Sequence, residues 1–141
     1  MTIVTIAAAL PHAMPDCANA RLALFAMRRM GAGGLSDAHV AQAFVVGFGE
    51  AFRRPLILMR ALMADLAATA TGPIAIAPCC CQRLTPAEDA FLTILTRAEA
   101  APETARILLS DLLAARRVDG VLASVTALAI AFADAGRPIC G

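Results

Sequence analysis

Three consecutive cysteines, Cys79, Cys80 and Cys81, stand directly ahead of a helix-start signal in the stretch PCCCQRLTPAEDAF, residues 78–91. Thiols at this density point to soft-metal binding or to thiol redox chemistry. Adjacent side chains leave the backbone in different directions, so one tetrahedral ion does not easily take all three. Zinc sites prefer cysteines two to four residues apart with a second pair elsewhere, and the chain has no C-x-x-C. A Zn or Cu(I) site would need two of the triplet plus a ligand brought in by the fold. Cys17, Cys140 and the histidines are available, and Cys79, Cys80, Cys81 and Cys17 form the candidate metal set. Met59 with Met63 and Met27 with Met30 offer thioethers one helical turn apart for Cu(I), although methionine at that spacing is ordinary core filler. For redox work, Cys81 lies four residues before Thr85 near a positive helix end, which favours a thiolate if the backbone turns it inward. Against both stands the plainer expectation of small buried hydrophobes in a loop, with no cofactor at all.

Other chemistries find less support. There are two histidines, His12 and His39, too few for a multi-histidine metal site and a thin basis for a triad. His39 falls in the first turn of a helix and His12 in PHAMP, both places where exposure is the default. Glu88 is engaged by a helix cap, Asp89 and Glu99 read as a solvated face, and Asp65, after Leu62 and Met63, is the acid to inspect for burial. The glycines of GAGG at 31–34 end a helix; they do not open one after a strand, so no phosphate loop is indicated. An enzyme is not expected.

All 12 basic residues are arginine, against 11 acidic ones, for a formal net charge of +1. Guanidinium suits phosphate, but GC-rich coding also enriches Arg over Lys, and a nucleic-acid binder normally carries a basic surplus. The chain is 60% hydrophobic and 16% charged, against about 25% charged for an average domain. So few charges cannot dress the whole surface evenly, which points to exposed alanine or self-association.

The apolar start, MTIVTIAAALPHAMPDCA, has no basic residue before it and runs into Pro11 and Pro15, unlike a secretory signal. The longest uncharged run, Leu66 to Gln82, contains Gly72, Pro73 and Pro78. Gly120 to Ala133 is too short for a bilayer, which needs about 20 residues. These features predict no membrane association, a cytoplasmic protein and five reduced cysteines.

The elements that must hold these side chains read as helices. At 141 residues one domain, 1–141, is expected, with residues 1–15 as an N-terminal arm and 71–84 as a central connection carrying the triplet. Residues 2–10 suit an extended arm or a first helical turn. Asp16 caps a helix from Cys17 to about Met30. Ser36 caps the next, with Asp37 against its dipole, and Phe44, Phe48 and Phe52 form a ridge at i, i+4, i+8 facing a partner. Pro55 interrupts this pattern: either one long helix kinks there, the favoured reading because no turn residues accompany the proline, or a new helix starts with Pro55 at its first position. T-P-A-E at 85–88 is a capping box with Pro86 in the first turn. Pro102 opens a helix carrying Leu108, Leu109, Leu112 and Leu113, with Arg116 and Arg117 suited to its C-terminal end. Asp119 caps a last helix with Val121, Leu122, Val125, Leu128, Ala129 and Phe132 inward, ended by Gly136 and Pro138. The sum is an all-α bundle of five or six helices with short connections.

Two resemblances attach to the central segment. RLTPAEDAFLTIL followed by APETARILL is similar to the start of a response-regulator-type helix-turn-helix, which implies DNA binding. The helix after it is apolar, however, and lacks the base-reading face that a recognition helix needs. CCCQRLTPAEDAFLTIL resembles a small uncharacterised all-helical bacterial family, which implies a fold and no activity. The leading functional expectation is an interaction or regulatory module, a homodimer joined through the phenylalanine ridge or the last helix, with a protein partner also compatible. A metal or thiol protein using the triplet and a DNA binder are the alternatives.

Overall fold

The computed structural model describes residues 3–5 and 10–140, with the backbone alone for Thr5. Among them are six α-helices: α1 (Ala18–Gly33), α2 (Ala38–Phe48), α3 (Arg53–Thr69), α4 (Pro86–Arg97), α5 (Pro102–Leu113) and α6 (Asp119–Asp134). Four short strands accompany them: β1 (Ile3–Thr5), β2 (His12–Ala13), β3 (Ile74–Ile76) and β4 (Arg83–Leu84). The all-α expectation holds, with one addition. The N-terminal segment is stitched to the central connection by two small ladders, β1 parallel to β3 and β2 antiparallel to β4. Of the 2–10 segment, residues 3–5 are extended; residues 2 and 6–9 lie outside the described residues.

Local chemistry explains most helix limits. Asp37, not Ser36, caps α2, accepting from His39 N at 2.9 Å and Val40 N at 3.3 Å. Cys17, not Asp16, occupies the N-cap position of α1, which has no side-chain cap bond. The helix runs on through Gly31, where a Cβ would meet Ile76 Cδ1 at 2.8 Å and Ile3 Cγ2 at 3.1 Å. A bare Cα there lets the β1–β3 ladder lie close against α1. The interruption expected near Pro55 falls at Gly49, whose φ of 61° ends α2. A 3-10 turn over Gly49–Phe52 follows, and Pro55 sits in the first turn of α3, where its missing N–H costs no helical bond. At the end of α5, Ala114 adopts a left-handed conformation, φ 50°. Arg116 and Arg117 therefore lie in the connection to α6, and Asp119 is the first residue of that helix, paired with Arg106 instead of capping.

The core joins all six helices. α3 and α6 share the most extensive contact, α4 and α5 form a hairpin, and α1 touches α2, α3 and α4. Phe44 and Phe48 pack against Phe132 of α6 with ring centroids 5.9 and 4.9 Å apart, both nearly edge-on. Two of the three ridge residues, Phe44 and Phe48, therefore face the chain's own last helix, while Phe52 is half-buried. Met27, Met30, Met59 and Met63 are all buried among apolar neighbours, in the core-filling role.

Candidate functional site

The cysteine triplet is mounted on a polar anchor that lies almost wholly inside the protein. Thr85 and Glu88 form the capping box of α4: Glu88 N donates to Thr85 Oγ1 at 3.0 Å, and Thr85 N donates to Glu88 Oε1 at 2.9 Å. The same carboxylate receives Arg28 of α1, with Nε to Oε2 at 2.7 Å and Nη2 to Oε1 at 3.0 Å, and it accepts from Ala77 N at 3.1 Å. Arg28 spends its remaining donors on the loop itself, reaching Cys81 O at 2.8 Å and Arg83 O at 2.7 Å. The side chains of this pair are 1% and 0% exposed. Every buried side-chain polar atom among the described residues has a partner, so the pair avoids the large penalty of an orphaned buried charge. Arg83 reaches the other way, to Leu10 O at 2.9 Å and Pro11 O at 2.8 Å.

Between these fixed ends the chain makes a tight turn, Cys81 N donating to Pro78 O at 3.0 Å. Cys79 and Cys80 occupy its tip and are exposed, Cys81 is half-buried, and all three are free thiols. Cys79 lies beside Arg29, which also donates to Asp37 Oδ2 at 3.0 Å and contacts His39 Nδ1 at 2.8 Å. The hydrogen bond to Asp37 holds the Arg29 proton more firmly than usual; partial desolvation opposes this, and the Cys79 side chain adds to it. At Asp37, desolvation works to raise the pKa, but bonds from Arg29, His39 N and Val40 N outweigh it and hold the carboxyl below its ordinary range. A cavity of about 230 Å³ opens between the turn and α1, lined in part by Arg21, Arg28, Cys79 and Gln82 with Met14 and Phe25.

The structure separates the fourth candidate ligand from the other three. Cys17 is disulfide-bonded to Cys140, Cα atoms 5.9 Å apart, which corrects the expectation that all five cysteines are reduced and removes Cys17 from any metal set. The sequence gives no hint of the pair because 123 residues separate its members. The C-terminal tail is strapped there to the start of α1, with Asn19 Nδ2 donating to Pro138 O at 2.8 Å and Arg137 Nη1 to Asn19 Oδ1 at 3.1 Å. Among the described residues no three His, Cys, Asp or Glu side chains are placed to hold a metal ion. His12 lies 3.7 Å from Asp89 and His39 is largely exposed. Asp65 is half-buried and accepts from Ser124 Oγ.

Sequence reasoning missed Arg28. The available signal was an arginine four residues after Leu24 and one after Met27, on a stripe where helical period demands an apolar side chain.

This arrangement defines a small helical protein that presents free thiols on an internally anchored turn. The chain belongs to a family of unknown function, DUF6628, whose model matches residues 2–100. That span holds the triplet, Arg28, Glu88 and the whole of α4; α5 and α6, which complete the core, lie beyond it. No curated protein and no solved structure matches the chain. No helix among the described residues is long and apolar enough to cross a membrane.

Proposed function

We propose that the protein works through thiol–disulfide exchange at the 78–82 turn. The observation that carries this reading is the pairing of exposed free thiols at Cys79 and Cys80 with a turn whose ends are fixed by the buried Arg28–Glu88 pair. A thiolate from the turn attacks one sulfur of a partner disulfide. One S–S bond forms as one breaks, and the displaced sulfur leaves as a thiolate that takes up a proton.

Equilibrating the protein in glutathione buffers of graded ratio tests the proposal. Reversible, peptide-mapped change at Cys79–Cys81 with unchanged helical content supports it. Thiols that stay unmodified at every ratio refute it, and near-stoichiometric zinc or copper held by the anaerobic protein would shift the reading to metal binding.

Self-association is the second reading, and one observation favours it. Phe44 and Phe48 of the phenylalanine ridge are internal, but Val46 on α2 and Ile57 on α3 are 77% and 61% exposed. Light scattering tests this reading. DNA binding gains nothing comparable, because α6 contains no arginine and its exposed positions include Asp119, Ala123, Ala133 and Asp134.

A further inference from the structure

The cavity beside Cys79 has an uneven charge lining. Of the two arginines that line it, Arg28 is neutralised by Glu88. Arg21 is exposed, donates only to Pro15 O, and has no acidic partner among the described residues. Glutamine is the remaining polar lining residue, as Gln82, and no carboxylate lines the cavity. A molecule entering it meets the Cys79 thiol, one uncompensated cation and the apolar sides of Met14 and Phe25. Cys80 and Cys81, by contrast, do not line it.

Resting on the exchange reading above, we infer that Cys79 is the attacking thiol and that its preferred partners are small disulfides carrying a carboxylate. The Cys79 sulfur attacks the nearer sulfur of such a disulfide, leaving one half bonded to Cys79 with its carboxylate toward Arg21. The other half departs as a thiol after protonation. The charge selects the partner because the carboxylate and Arg21 attract, whereas a cationic disulfide meets repulsion there.

Three small disulfides of similar size test this: dithiodipropionate (anionic), bis(2-hydroxyethyl) disulfide (neutral) and cystamine (cationic). The rate at each cysteine of the native protein is read by peptide mapping and divided by the rate at the same cysteine in urea, which removes intrinsic reactivity. At Cys79 the anionic reagent should react about fivefold faster than the neutral one on this scale, with cystamine slowest. Arg21→Gln should abolish the order and Arg21→Lys should keep it. Added salt should flatten the order, because Arg21 and Cys79 are both exposed and salt screens exposed charges. Equal normalised rates for all three reagents, or an anionic preference at Cys80 in place of Cys79, overturn the inference while leaving the exchange reading standing. No reaction at any of the three cysteines overturns both.

Discussion

Glu88→Gln changes one oxygen to an amide nitrogen and should damage the anchor more than its size suggests. Oε1 of Glu88 accepts from Thr85 N and Arg28 Nη2, while Oε2 accepts from Arg28 Nε and Ala77 N. Whichever end becomes the amide group then faces two N–H donors, and Arg28, still held by Cys81 O and Arg83 O, becomes a buried charge without a counterion. Breaking a buried pair in this way costs about 3–5 kcal/mol, a large share of the roughly 5–15 kcal/mol that holds a domain folded. Urea denaturation followed by circular dichroism measures the loss as a fall in midpoint at constant slope. Pairing the substitution with Arg28→Met removes the orphaned charge, so the double variant should be more stable than the sum of the two single losses by about 2 kcal/mol. A loss below about 1 kcal/mol for Glu88→Gln, or strict additivity, would refute the claim that the two side chains work as one buried unit.

Three further outcomes follow from particular residues. Ala114 occupies a left-handed conformation in an exposed position, so Ala114→Gly should raise stability by about 1 kcal/mol in the same denaturation assay. Phe132→Ala removes the ring that both Phe44 and Phe48 meet edge-on and should cost about 3–5 kcal/mol. The Asp37 carboxyl has a lowered folded-state pKa. Its contribution is therefore present above the unfolded carboxylate pKa and is lost as pH falls through the folded one. Asp37→Asn, which keeps a capping oxygen without the charge, should show a smaller acid-side loss of thermal stability than the parent protein.

What was legible in the sequence was local. The T-P-A-E box sets the start of α4 because its two bonds span three residues, and Phe44, Phe48 and Phe132 show their burial through helical spacing alone. Boundaries slipped by one residue where two capping residues stand side by side, as Ser36 and Asp37 do: the carboxylate took the cap and the hydroxyl did not. The break before α3 lies at Gly49, because a left-handed residue ends a helix more decisively than a proline that the first turn can absorb. The candidate site was half legible. The triplet is conspicuous in any reading, but its anchor couples residues 28 and 88, and no short-range pattern announces a contact across 60 positions. Glu88 was recognised as a cap and so looked fully engaged; a carboxylate has room for several donors, and the fold used that spare capacity for Arg28. The Cys17–Cys140 bond escaped for the same reason of distance, since a lone cysteine at each end of a chain has no local partner to suggest pairing.

The most direct test of a thiol turn held by a buried anchor is peptide-resolved alkylation of the native protein with neutral iodoacetamide, without reductant. Cys79 and Cys80 should label at the rate of unhindered thiols and Cys81 more slowly, with Cys17 and Cys140 unlabelled until the disulfide is reduced. Protection of Cys79–Cys81 until the protein unfolds would contradict this, and would make the triplet packing material instead of a reactive site.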